Sequence, residues 1–154
     1  MKSLFAVIAL LGATQVKADG FVCLNHKGDL KIQVYDHVLP TEGTRTAAIM
    51  IASNPLLQNG NKTIAKFTDG NGTLDSAALF YVADVDLRFT DSSRKGELIG
   101  GTKLGELDKI QLQVGFSYSN PLANGDETFG TLTLVKRNGE ELEQVMTCER
   151  YLKN

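Results

Sequence analysis

The chain has 154 residues, with 16 basic and 18 acidic side chains, a formal net charge of −2 and no Trp. That mildly acidic balance excludes the cationic footprint of a nucleic-acid or anionic-membrane binder. No run of residues approaches the ~20 consecutive apolar positions that a membrane helix needs.

The first eighteen residues read as a secretory signal peptide. Lys2 supplies the positive start, Leu4 to Leu11 the apolar run, and Val16-Lys17-Ala18 the small residues at a cleavage site. Asp19 rather than Cys follows the expected cut, so no lipid anchor is signalled. The expectation is one mature domain over 19–154, exported to the periplasm or the extracellular space. Removing Lys2 and Lys17 leaves 14 basic against 18 acidic residues, or −4.

Taken in order, the mature chain alternates short apolar/polar runs with turn residues. Phe21 to Asn25 is a first strand, turned at His26-Lys27-Gly28-Asp29, and Leu30, Ile32 and Val34 then alternate with polar neighbours in a second. Thr44 to Ser53 forms a third, apolar at every position from Ala47 to Ala52, which suits a strand covered on both faces. Thr63 to Thr68 is a fourth, and Asp69-Gly70-Asn71-Gly72 reads as the next turn. Leu79 to Phe89 has the longest alternating signal. Glu97 to Leu104 is a weaker strand, interrupted at Gly100-Gly101 by an expected bulge or bend. From Ile110 to Tyr118 every even residue is apolar and every odd one polar or Gly. A strand through Leu132 and Leu134 ends at Asn138-Gly139, a strong hairpin signal, and the last strand runs from Leu142 to Tyr151.

Eight or nine strands with no helix predict an all-β domain, a single antiparallel barrel in preference to a sandwich. Cys23 in the first strand and Cys148 in the last are expected to form a disulfide, as cysteines of an exported chain do. Because bridged Cα atoms lie within ~7 Å of each other, the bridge would bring the terminal strands together.

Candidate sites are few. Ser53-Asn54-Pro55-Leu56-Leu57-Gln58-Asn59-Gly60 echoes Ser119-Asn120-Pro121-Leu122-Ala123-Asn124-Gly125. If the two loops share one rim, Leu56, Leu57 and Leu122 could form an exposed apolar contact patch. Asp69, Asn71 and Asp75 fall at oxygen-ligand positions of an EF-hand-like loop. However, Phe67 and Ala78 stand where its first and last carboxylates belong, so a plain turn is expected and no metal or other cofactor is implied. His26 and His37 diverge along one strand by roughly 30 Å and cannot share a metal. Asp84 and Asp86 lie on one strand face, as paired glycosidase carboxylates can, but Arg88 follows them there. Asn61-Lys62-Thr63 and Asn71-Gly72-Thr73 fit the glycosylation sequon, read here as incidental.

The layout resembles the broad class of small exported β-barrels that includes lipocalins and periplasmic protease inhibitors. That resemblance implies a non-enzymatic module that binds a protein partner or a small apolar ligand at one barrel rim. The Gly-x-Trp signature of lipocalins is missing, since the chain has no Trp. The alternatives are an exported enzyme built on the strand-borne carboxylates and a small outer-membrane barrel.

Overall fold

A computed structural model describes residues 19–36, 45–57, 62–74, 80–88, 91–117 and 121–153. The expected signal peptide, His37, Asn61, Asp75 and Ala78 lie outside the described residues. Among the described residues ten strands form in chain order: β1 (Asp19–Asn25), β2 (Lys31–Asp36), β3 (Arg45–Asn54), β4 (Lys62–Leu74), β5 (Phe80–Asp86), β6 (Leu98–Ile99), β7 (Thr102–Lys103), β8 (Leu107–Gly115), β9 (Glu127–Lys136) and β10 (Glu141–Tyr151). Eight of them close into one antiparallel barrel, β1-β10-β9-β8-β5-β4-β3-β2, while β6 and β7 pair separately. The expected all-β barrel is therefore what forms. Each long strand pairs with its neighbours in sequence, and β1 pairs with β10 to shut the ring.

The beat of two explains the core. Along β8 the alternating residues Ile110, Leu112 and Val114 are buried, with Leu107 and Gly115 at its ends, and on β9 the buried positions are Gly130, Leu132 and Leu134. Tyr81, Ala83, Val85 and Leu87 do the same on and just beyond β5, and one contiguous cluster fills the barrel. Gln111, Gln113, Thr131, Thr133, Glu143 and Glu149 take the outward positions of β8 to β10. An apolar lumen inside a polar wall is the reverse of the polarity a lipid-embedded barrel needs.

Cys23 and Cys148 are direct partners in the β1–β10 register and form a disulfide, with Cα atoms 4.0 Å apart and both side chains fully buried. Gly130 on the neighbouring strand makes room for it, since a Cβ there would sit 2.7 Å from the Cys148 Sγ.

Two turns differ from expectation. Asp69-Gly70-Asn71-Gly72 is not a turn but the interior of β4, paired with β3 from Ala48↔Gly70 to Thr46↔Gly72. The β3–β4 register shifts twice, with one extra residue of β4 between Phe67 and Gly70 and one between Thr63 and Ala65. An extended, paired segment cannot wrap an ion as an EF-hand loop does, so Asp69 and Asn71, both within β4, do not belong to such a loop. Gly100-Gly101 is a two-residue hairpin turn between β6 and β7, with φ of 56° and 83° that only glycine adopts without strain. The Asn138-Gly139 hairpin forms as its sequence indicates, with Gly139 at φ 86°.

The ring is uneven at one place. β4 and β5 pair only from Asn71↔Asp84 to Leu74↔Tyr81. Among the described residues, no strand pairs with the Lys62–Gly70 part of β4 on the side away from β3. The barrel is zipped at one end of this seam and parted at the other.

Candidate functional site

In an up-and-down ring successive connections alternate between the two ends. One end therefore gathers the β1–β2 turn, the β3–β4 connection, the long β5–β8 connection and the β9–β10 hairpin. The opposite end holds Asp19, Tyr151 and the β8–β9 connection. Leu56 and Leu57 thus lie at one end and Leu122 at the other, and the three do not form one patch. Leu122 packs partly buried against the core, in a loop tied down by Gly125 N–H donating to Arg150 O at 2.8 Å.

The Leu56 end is built differently. In Asn54-Pro55-Leu56-Leu57, the Asn54 Oδ1 accepts from Leu56 N–H at 3.0 Å and the Asn54 carbonyl accepts from Leu57 N–H at 3.4 Å. Pro55 fixes the intervening φ, so this is a stiff turn that holds its side chains out. Leu56 is 67% exposed and Leu57 42%. Beside them the β6–β7 hairpin folds over the barrel end, burying Ile99 and Leu104 while leaving Leu98 54% exposed. Between turn and hairpin lies a cleft of about 310 Å³ lined by Asn54, Leu57, Thr63, Ile64, Glu97 and Leu98. Exposed leucines clustered around a cleft are the sort of apolar surface that marks a contact site.

The parted seam opens onto this cleft. Arg94, in the 3₁₀ turn Ser92–Arg94, donates from Nη2 to Ile64 O at 2.9 Å and from Nη1 to Lys66 O at 3.3 Å. It also pairs with Glu97 Oε2 at 3.3 Å. One guanidinium therefore occupies two backbone acceptors that a neighbouring strand would otherwise take.

A second hollow at the same end, of about 340 Å³, is lined by Asn25, His26, Lys27, Asp29, Gly100 and Gln144 among others. Its polar groups engage one another. Asn25 Nδ2 donates to Asp29 Oδ1 at 2.6 Å and to Gln144 Oε1 at 3.2 Å, and Gln144 Nε2 donates to Gly100 O at 3.2 Å. This network latches the β6–β7 hairpin to β1 and β10.

The remaining candidates sit apart. Asp84 and Asp86 stand on the outer wall of β5. Asp84 Oδ2 is 3.7 Å from Lys109 Nζ, and Arg88 Nε donates to both Asp86 carboxylate oxygens at 3.0 Å. Hydrogen bonds from the Arg88 side chain and backbone lower the Asp86 pKa to about 2, whereas a general acid needs its carboxyl raised. A carboxyl-detected NMR titration should find Asp86 ionised down to about pH 2, and Arg88→Ala should return it toward 3.8. The sign follows from the lowered value: whatever this exposed pair adds to stability is present above the ordinary value and lost as pH falls through about 2. Phe129, exposed on the outer wall, has a structural task. Its ring lies over Gly115, where an added Cβ would meet it at 2.8 Å, and it meets Phe80 edge-on with centroids 5.9 Å apart.

Sequence reasoning found Leu56 and Leu57 but missed Ile64, Arg94 and Leu98. The one signal for Leu98 is the Gly100-Gly101 pair. Read as a two-residue hairpin turn, it would have flagged Leu98 and Ile99 as an in/out pair on a short ribbon. No family model, curated protein or solved structure matches the chain.

Proposed function

We propose that this is a non-enzymatic interaction module of an exported compartment, which holds a protein partner at the barrel end carrying Leu56, Leu57 and Leu98. The observation that carries the reading is the stiff Asn54-Pro55 turn presenting two leucines beside a third across an open cleft. A surface kept apolar at the cost of solubility, on elements fixed by hydrogen bonds, fits recognition by a preformed site. The barrel interior is already filled by its own side chains, which favours a protein partner at the rim over a small apolar ligand in the lumen. The Cys23–Cys148 bridge fits a non-reducing environment, and with the leader-like N-terminus it supports the periplasm or the extracellular space.

The test is a photo-reactive residue placed at position 56, with position 122 as the control at the other end, in the folded protein mixed with its native envelope or medium. Discrete cross-linked species from position 56, identified by mass spectrometry and absent from position 122, are expected. They should disappear when Leu57 and Leu98 are both replaced by Ser. Equal labelling from the two positions would refute the assignment.

A further inference from the structure

We infer that the partner is engaged as an extended polypeptide strand, which pairs with the parted edge of β4 and seats an apolar side chain in the neighbouring cleft. The inference rests on the reading above and specifies its chemistry. Main-chain pairing is the recognition that an unpaired strand edge supplies, and side-chain pockets along the edge then add selectivity. On β4 the edge and the pocket coincide. The Ile64 and Lys66 carbonyls point out of the sheet onto Arg94, and Ile64 itself lines the cleft with Leu57 and Leu98. Arg94 caps those acceptors with a partly exposed side chain rather than with a strand, so an incoming backbone N–H can replace it without unfolding anything.

Charge selects the segment further. Lys66, exposed, follows Ile64 by two residues along β4, and Lys103 is the cross-strand partner of Leu98. Among the described residues, neither lysine has an ion-pair partner. A strand laid along this edge would therefore place an apolar residue beside Ile64 and carboxylates two positions away on the same face. The fitting ligand is an extended acidic segment with one apolar residue between its carboxylates.

The probe is the blocked heptapeptide Thr-Asp-Thr-Leu-Thr-Asp-Thr, titrated into the ¹⁵N-labelled full domain, with its Asp-to-Lys counterpart alongside. Saturable amide shifts confined to 62–67 and the β6–β7 hairpin are expected, at least tenfold tighter for the acidic peptide. N-methylation of the peptide amides that face the edge should weaken binding at least tenfold, while methylation of the alternate set should not. Arg94→Ala combined with Glu97→Gln, which removes the competing donor without baring the cleft's carboxylate, should tighten binding severalfold and Leu98→Asp should abolish it, with the dispersed spectrum of each variant confirming that it folds. Equal loss from both methylation patterns would mean docking by side chains alone, which overturns the strand pairing but leaves the contact surface standing. No shifts at 62–67 at millimolar peptide, with position 56 still cross-linking, overturns it as well. Concentration-dependent shifts at 62–67 without peptide would assign the edge to a second copy of this chain and overturn the partner strand.

Discussion

Replacing Cys23 and Cys148 together by Ala should destabilise the protein by on the order of 5 kcal/mol, the chain-entropy value for so long a loop. For a domain of this size that corresponds to a fall in Tm of roughly 10–20 °C. The bridge spans 125 residues of sequence and joins the two strands whose pairing closes the ring, so without it the barrel must find its last neighbour unaided. Because both side chains are fully buried, reductant should leave the bridge intact in the native protein and cleave it only once denaturant has opened the barrel. Gly130 provides an internal check. Gly130→Ala forces a Cβ to within 2.7 Å of the Cys148 Sγ, and overpacking of this kind costs about 1–3 kcal/mol. Most of that cost should vanish in the Cys-free background, where the sulfur is gone. Thermal denaturation of the four proteins in the cycle measures both effects, and additive losses would contradict the packing argument.

Arg150→Ala should be the most damaging single change at the other end of the barrel, at on the order of 3 kcal/mol. Arg150 is 3% exposed, on an inward position of β10. Its guanidinium carbon lies 4.9 Å from the Phe21 ring centroid and 5.0 Å from that of Phe116, and Nη1 donates to Gly20 O at 3.0 Å. Phe21 also meets Tyr81 with centroids 5.4 Å apart and Phe116 edge-on at 5.8 Å, so the cation sits against a cluster of packed aromatic rings. The rings and the carbonyl replace the water a buried guanidinium has lost. Arg150→Met keeps the apolar stem and should recover part of the loss. Chemical denaturation that places Arg150→Ala within 0.5 kcal/mol of the parent, inside the usual range for a surface position, would remove Arg150 from the core account.

Much of this fold is legible in the sequence because a barrel is made of one repeated rule. Ile110, Leu112 and Val114, and likewise Tyr81, Ala83, Val85 and Leu87, announce their inward face through spacing alone. The cysteines give the ring closure, since disulfide geometry turns two sequence positions into neighbours. Three things escape that rule. Arg150 falls on the inward beat after Met146 and Cys148, but a charge on an inward position is intelligible only once Phe21 and Phe116 are brought from far along the chain to receive it. The glycines of Asp69-Gly70-Asn71-Gly72 carry a turn preference that pairing with β3 and β5 overrides, so a strand passes where local chemistry suggests a reversal. The ends at which loops meet depend on the number of strands between them. Leu56 and Leu122 therefore look like parts of one site in sequence, in two similar segments, and stand at opposite ends in space.

The functional reading depends on the β4–β5 seam being zipped at one end and parted at the end where Leu56, Leu57 and Leu98 emerge. Residue-resolved amide hydrogen exchange under native conditions measures this directly, because exchange follows the local opening of each hydrogen-bonded unit. The account predicts that amides of the β1–β10 ladder exchange slowly, near the global unfolding limit. Along β4, exchange should be slow at Asn71–Leu74 and faster by at least two orders of magnitude at the edge-facing amides between Lys62 and Phe67. Uniform protection along the whole of β4 would mean that the seam is closed, and would contradict both the parted edge and the strand-pairing site built upon it.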